Sequence, residues 1–321
     1  MGCEHCSRLA VFLFRNAFMS MYTRWGALAV AIAVTAPIRS GAQPQFDLQV
    51  PYGAGQNVAP VFEGWERNAD GTFNMVYGYM NRNYEEQPEI PIGLNNSFSP
   101  ELADRGQPTH FYPRRQQFMF KVQVPATFGK QQLVWTLTRG GKTEKARGKL
   151  DLEWEISQVV YSQNRRGLGS DATVAEPNKP PTISIDGAVR RQAAVGTPLT
   201  LTVNASDDGI PKPPPAADGR GRGDGPLPPL VTVRQSGPTQ QQIIQPSREG
   251  LAVTWTHWRG PGRLTFTAMR TAVKDGKAST QVTFSEPGTY VVRAYADDGI
   301  VFESADATIT VVSTPNRSGQ N

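Results

Sequence analysis

Three glutamates and two histidines hold most of the chemistry this sequence offers. Glu85, Glu86 and Glu89 stand close together beside Tyr84, in polar, strand-poor text. Glycoside cleavage needs two carboxyls flanking the scissile bond, so this cluster is a candidate for carbohydrate work, although adjacent glutamates in a polar loop are usually just solvated. His110 follows in Pro108-Thr-His-Phe-Tyr-Pro-Arg-Arg115, and arginine's planar fork suits an anionic or sugar-like ligand. Arg82, Tyr84, Glu85, Glu86, His110, Tyr112, Arg114 and Arg115 are therefore the candidate ligand-binding residues, with Tyr84, Phe111 and Tyr112 expected to be the exposed aromatics. His257 sits in Leu251-Ala-Val-Thr-Trp-Thr-His-Trp258, sharing a strand face with Val253 and Trp255, which reads as packing or edge decoration.

Hydrolytic alternatives lack their parts. A serine triad needs a histidine base oriented by a carboxylate, and the chain carries no GxSxG elbow, HExxH zinc site or P-loop. A CxxC pair, Cys3 and Cys6, is the whole cysteine content. Asp207-Asp-Gly209 and Asp297-Asp-Gly299 repeat one another in similar settings. Hard oxygen ligands suit calcium, which makes Asp207, Asp208, Asp297 and Asp298 candidate metal ligands. The competing reading is that Asp and Gly form turns by capping their own backbone. No cofactor other than this calcium is expected.

The elements that must position these residues are strands. Val58–Trp65 and Phe73–Met80 flank an Asp-Gly turn and read as a hairpin. Phe118–Val124 alternates, with Phe118, Phe120, Val122 and Val124 on one face. Leu133–Thr138 and Thr143–Leu150 flank Arg139-Gly-Gly-Lys142 as a second hairpin. The long aromatic-bearing strands should bury Trp65, Tyr77, Tyr79, Phe118, Phe120 and Trp135. No stretch shows convincing helical periodicity. Strands with one apolar face need a second sheet over it, so a β-sandwich follows. Residues 82–116 form a long connection between strands, and connections of that length are often functional.

A second run of strand text covers Thr182–Ile185, Thr197–Asn204, Leu251–Trp258, Gln281–Phe284, Gly288–Ala296 and Ala307–Val312. It is interrupted over 210–250 by Pro- and Gly-rich text that cannot bury apolar area and is expected to be flexible or extended.

The N-terminus reads as an export signal. Arg24 precedes a short apolar run, Trp25–Ala36, that ends in Ser40-Gly-Ala42, the arrangement of a cleaved secretory peptide. Met19 and Met21 stand directly before it and are candidate translation starts. Cleavage after Ala42 leaves 279 of the 321 residues and removes both cysteines. Four of the 33 basic and one of the 28 acidic residues go with it, so the balance falls from +5 to 29 against 27. So even a charge does not imply nucleic acid. No transmembrane segment is expected after cleavage.

Residues 180–313 resemble the polycystic-kidney-disease (PKD) domains and their immunoglobulin-like relatives in secreted bacterial proteins. The likeness rests on Val253-Thr-Trp255 with Arg259-Gly-Pro-Gly262, on Phe284-Ser-Glu-Pro-Gly-Thr-Tyr290, and on Ala296-Asp-Asp-Gly299 with Ile309-Thr-Val311. It implies a sandwich of about seven strands used as a spacer, adhesive or binding module. The first region, through Gly78-Tyr-Met-Asn-Arg-Asn83 and Gly106–Arg115, resembles exported bacterial proteins of unassigned function.

The resulting expectation is an all-β chain of two antiparallel, immunoglobulin-like β-sandwiches. Residues 1–42 are the signal peptide, 43–156 the first sandwich, 157–179 a linker, 180–313 the PKD-like sandwich and 314–321 a disordered tail. Its function is expected to be non-catalytic: a periplasmic or extracellular binding, adhesion or scaffolding module whose partner is an envelope protein or glycan. The alternative is a carbohydrate-binding or carbohydrate-active protein with its site in 82–116.

Overall fold

The computed structural model describes residues 52–165, 178–212, 242–244 and 250–313. The expected signal peptide, its cysteines and the tail lie outside these residues, as do most of the linker and the insertion. The described residues belong to one compact unit. Among the described residues no helix is long and apolar enough to cross a membrane.

The chain is all-β, and both sandwiches are present. The first joins a sheet of β1 (Val58–Arg67), β2 (Phe73–Asn81) and β4 (Arg114–Val124) to a sheet of β3 (Asn96–Ser99), β5 (Leu133–Arg139) and β6 (Lys142–Gly148). The rings of Tyr77, Phe98, Phe120 and Trp135 interlock between them, with Phe98 stacked on Trp135 at 5.8 Å and Tyr77 edge-on to Phe98 at 5.1 Å. Trp65, Tyr77, Tyr79, Phe118, Phe120 and Trp135 are all buried, as expected.

Phe118 departs from the expected shared face. Gln116 pairs with Tyr79 and Phe120 with Tyr77, so a bulge of three residues faces Gly78. Phe118 takes a positive φ of 53° there, a cost of roughly 1–3 kcal/mol that surrounding contacts must offset. Its ring turns to Tyr161, 4.8 Å away, while Phe120 keeps to the aromatic core. Gly78 permits the bulge, because a Cβ there would collide with Gln116 O and the Glu63 carboxylate. Glu63 is in turn held by Arg115 at 2.7 Å.

The second sandwich is immunoglobulin-like. One sheet runs β12 (Arg270–Ala272), β10 (Ala252–Arg259), β14 (Gly288–Asp297), β15 (Phe302–Val312), β8 (Arg190–Ala194). The other runs β11 (Leu264–Phe266), β13 (Lys277–Phe284), β9 (Leu199–Ser206), β7 (Thr182–Ile185). Every pairing is antiparallel except β15 with β8. Two of the stretches that carry the family resemblance meet here: Gly260 has φ 130°, and any side chain on it would strike the Tyr290 ring.

The sandwiches share a buried junction. Every residue of β10 from Ala252 to Trp258 is buried. Val253 and Trp255 enter the second core, whereas Trp258 joins the first, its ring 5.8 Å from Phe120. Tyr295 Oη donates to Met119 O at 2.8 Å, and Lys121 pairs with both Glu66 (3.1 Å) and Glu303 (3.2 Å).

Two expectations are corrected at this junction. Gln158–Arg165, at the head of the expected linker, forms a helix (α1) despite the absence of clear periodicity. Tertiary contacts hold it: Tyr161 is buried between Phe118 and Phe302 and donates to Glu66 at 2.6 Å. The insertion also buries apolar area, because Ile243 and Ile244 pack into the first core and Ile243 N donates to Gln116 Oε1 at 2.7 Å. Its Pro and Gly content obscured this pair.

Truncating Trp258 removes the largest side chain shared by the two sandwiches. Trp258→Ala is expected to cost about 3–5 kcal/mol, the usual range for a buried aromatic, and to split one urea unfolding transition into two, read by tryptophan fluorescence and far-UV circular dichroism.

Candidate functional site

Segment 82–116 is not an open loop. It contributes β3, pairs back to the first sandwich, and carries residues 104–112 across to β10. Thr109 N donates to Trp258 O (3.1 Å), Trp258 Nε1 to Gly106 O (3.0 Å) and Arg259 Nε to Gln107 O (2.7 Å). Arg259 also forks onto Asp104 at 2.7 and 3.0 Å. The end of β10 would otherwise present unpaired polar groups inside the junction, and buried backbone groups need partners.

The candidate ligand-binding residues separate into three places. At one end of the first sandwich, Arg82 bonds Asn57 (2.6 Å) and Glu144 (2.9 Å), and Glu86 accepts from Gly55 N (2.7 Å) and pairs with Arg139. Arg114 lies 4.0 Å over the Tyr84 ring and donates to Arg82 O at 3.0 Å. Glu85 is exposed beside them. Arg115 is elsewhere, paired with Glu63 at the bulge. His110 and Tyr112 lie at the junction. Phe111 and Tyr112 are buried, not exposed: Phe111 packs on Tyr79 at 4.9 Å, and Tyr112 Oη accepts from His257 N at 2.8 Å. Alternation could not place them, because Phe111 is covered by Tyr79 and Trp135 of its own sandwich and Tyr112 by His257 of the other.

What the structure assembles instead is Glu89, His110 and His257. The two imidazoles stack at 4.2 Å and 25°, and Tyr112 meets His110 edge-on at 4.9 Å. Glu89 Oε1 contacts His110 Nδ1 and lies 3.8 Å from His257 Nδ1, while Oε2 accepts from Thr109 Oγ1 at 3.2 Å. His110 Nε2 lies 2.9 Å from Gln87 Oε1. His257 Nε2 is buried without a hydrogen bond of ordinary geometry, although the backbone of Arg259 and Gly260 lies close enough to favour its proton slightly. Burial raises the Glu89 carboxyl to about 7 and lowers both imidazoles to about 4. Among the described residues this is the one group of three or more His, Cys, Asp or Glu side chains able to share an ion, with donor atoms all within 4.8 Å of one another.

The four aspartates cap turns. Asp207 and Asp208 accept from Gly209 N (2.9 Å) and Ile210 N (3.0 Å). Asp297 accepts from Gly299 N (2.9 Å), and Asp298 from Ile300 N (2.7 Å) and Val301 N (2.9 Å). Residues 178–179 run between the two turns, Asn178 Nδ2 donating to Asp298 (3.0 Å) and Lys179 N to Asp208 (3.1 Å). This is the self-capping behaviour of Asp in Asx turns, and it explains the repeated sequence: the same turn closes β9 and β14.

Sequence reasoning noticed Glu89 only as one acid of a polar cluster and His257 only as packing. Nothing in their spacing links them. The available signal was that the two histidines among the described residues both sit in aromatic-rich text.

No protein-family model matches the chain, and no curated protein does. Solved structures with which it superposes include domains 4 and 5 of the S-layer protein SbsC, with a TM-score of 0.23 at 10% identity over 57% of this chain and 66% of that one. The Yersinia pseudotuberculosis adhesin InvE gives 0.23 at 13% identity over 81% and 60%, and the D0–D1 domain of intimin 0.23 at 13% over 79% and 98%. The chain thus spans less than two thirds of the length of the first two. Scores this low do not bear on what the chain does.

Burial raises Asp298 to about 6 from its ordinary 3.8, against the lowering effect of its hydrogen bonds. Between those values the folded chain holds a proton that the unfolded chain releases. Stability contributed by the neutral carboxyl is therefore full below about pH 4 and lost as pH rises to about 6, on the order of 3 kcal/mol for an isolated group. Urea unfolding at pH 4 and pH 6 should show a smaller loss across this interval in Asp298→Asn than in the parent.

Proposed function

We propose that this chain is a non-catalytic, exported binding, adhesion or scaffolding module, its second sandwich of the PKD-like kind, which presents the outer surfaces of a rigid pair of sandwiches to an envelope protein or glycan. One observation carries the reading: segment 82–116 spends its chemistry inside the chain. Arg82 is answered by Glu144, Glu86 by Arg139, Arg115 by Glu63, Arg114 by Tyr84 and Arg259 by Asp104. The carboxylate of Glu86 faces an arginine, and glycoside cleavage requires it to face a second acid across the sugar. Phe111 and Tyr112 are buried and Arg114 lies over the Tyr84 ring, so the aromatics of this segment are engaged within the chain. Such a segment sets the angle between two sandwiches, which suits a spacer or a rigid binding surface.

The test is capture of envelope proteins and glycans by the immobilised chain, with and without calcium, followed by incubation with the captured glycans. Saturable retention of one partner, unchanged by Glu86→Gln, is the expected result. Release of new reducing ends that disappears in Glu86→Gln would replace this reading with carbohydrate cleavage.

A further inference from the structure

The geometry points to a divalent transition-metal site of the zinc class at the junction of the sandwiches, with Glu89 Oε1, His110 Nδ1 and His257 Nδ1 as ligands. His110 Nε2 faces the amide oxygen of Gln87 at 2.9 Å, so this nitrogen carries the proton. A neutral imidazole has one N–H, which leaves Nδ1 with its lone pair directed at Glu89 Oε1. Two acceptors then meet at contact distance, and His257 Nδ1 approaches the same oxygen to 3.8 Å. A proton on Glu89 bridges only the first pair, whereas a cation satisfies all three donor atoms, which lie within 4.8 Å of one another.

The donor set and its surroundings fit that ion. Two imidazoles and one carboxylate suit zinc, cobalt or nickel, while calcium and magnesium prefer all-oxygen shells. Zn–N and Zn–O bonds of about 2.0–2.2 Å place tetrahedral donors about 3.3 Å apart, so an ion closes the 3.8 Å separation slightly and opens the closer Glu89–His110 contact. Gln87 holds the outer nitrogen of His110, and Thr109 holds the second oxygen of Glu89 at 3.2 Å. Such outer partners fix the rings and carboxylates of metal sites. The Glu89 side chain keeps 29% of its surface accessible and both histidine side chains less than a tenth, so an ion has a route in and water can take the fourth position.

The ligands also come from both sandwiches. Glu89 and His110 lie in the segment between β2 and β4, and His257 lies on β10. A metal held by all three therefore ties the two together, and its binding free energy adds to the stability of the junction.

The experiment uses the untagged full chain carrying Cys3→Ser and Cys6→Ser, so that the CxxC pair cannot compete. Zinc titration by calorimetry, cobalt absorption in the visible range and thermal unfolding are measured for this chain and for its Glu89→Gln and His257→Ala forms. The expected results are one zinc per chain, a cobalt d–d band of a low-coordinate site, no displacement by calcium, and a rise in Tm of about 5 °C or more at zinc a hundredfold above its Kd. Glu89→Gln retains the oxygen that Thr109 bonds and should fold normally, with zinc affinity at least tenfold weaker and the Tm rise largely gone. Absence of zinc and cobalt binding in the folded parent overturns the site, as does binding that Glu89→Gln leaves unchanged with its circular dichroism intact. His257→Ala, where it folds, must weaken zinc equally.

Discussion

A strand with no exposed face governs this molecule. In an ordinary sandwich the central strands present one face to the core and the other to water. β10 instead gives Val253 and Trp255 to one core and Trp258 to another, so its outer side must be covered by protein. Met119 and Phe120 of β4, Tyr161 of α1 and residues 104–112 all converge on that sheet. The bulge at Gly78 belongs to the same arrangement, because it lets β4 send Phe120 inward and Phe118 and Met119 towards the neighbour.

Burying a polar sheet face has an electrostatic cost that the chain meets locally. Arg293 points from β14 into the junction, where Asp306 accepts two hydrogen bonds from it at 2.6 and 2.7 Å and the Trp258 ring lies 3.8 Å beneath its guanidinium. A buried ion left without its partner is costly, and the charge must be met by geometry as well as by Coulomb attraction. Lys121, Arg115 and Arg259 follow the same pattern with Glu303, Glu63 and Asp104. The charged residues of the long segment are thereby structural, and its length reflects the distance it must cover from β2 to the far end of β10 and back to β4.

Much of the fold was legible because the long strands are β-rich runs bounded by turn residues: Val58–Trp65, Leu133–Thr138 and Gly288–Ala296 lie in strands where that text placed them. The short strands were not. Asn96–Ser99 and Arg270–Ala272 carry no apolar alternation, and Arg190–Ala194 is polar text whose strand state comes from parallel pairing with β15. The helix at Gln158–Arg165 and the buried Ile243–Ile244 pair likewise owe their state to neighbours distant in sequence. The Glu89, His110 and His257 group was illegible for the same reason. Its members share no spacing, and only the docking of one sandwich against another brings the rings together. The residues around His110 were singled out as ligand-binding candidates with exposed aromatics, whereas Phe111 and Tyr112 are buried and Arg115 is paired with Glu63.

The position of β15 has a consequence for how the chain matures. This last strand lies between β14 and β8 in the middle of its sheet, so the second sandwich cannot close until residue 312 is free to pair. A nascent chain appears from its N-terminus, and the first sandwich has all its strands by residue 148. It then waits with the Met119 side of β4 without its partner Tyr295 through the synthesis of roughly half the protein. Long-range strand pairing is intrinsically slow, and a partly folded intermediate with exposed apolar surface is prone to association. Whatever shields that face during the interval is as much a requirement of this architecture as the contacts that finally replace it.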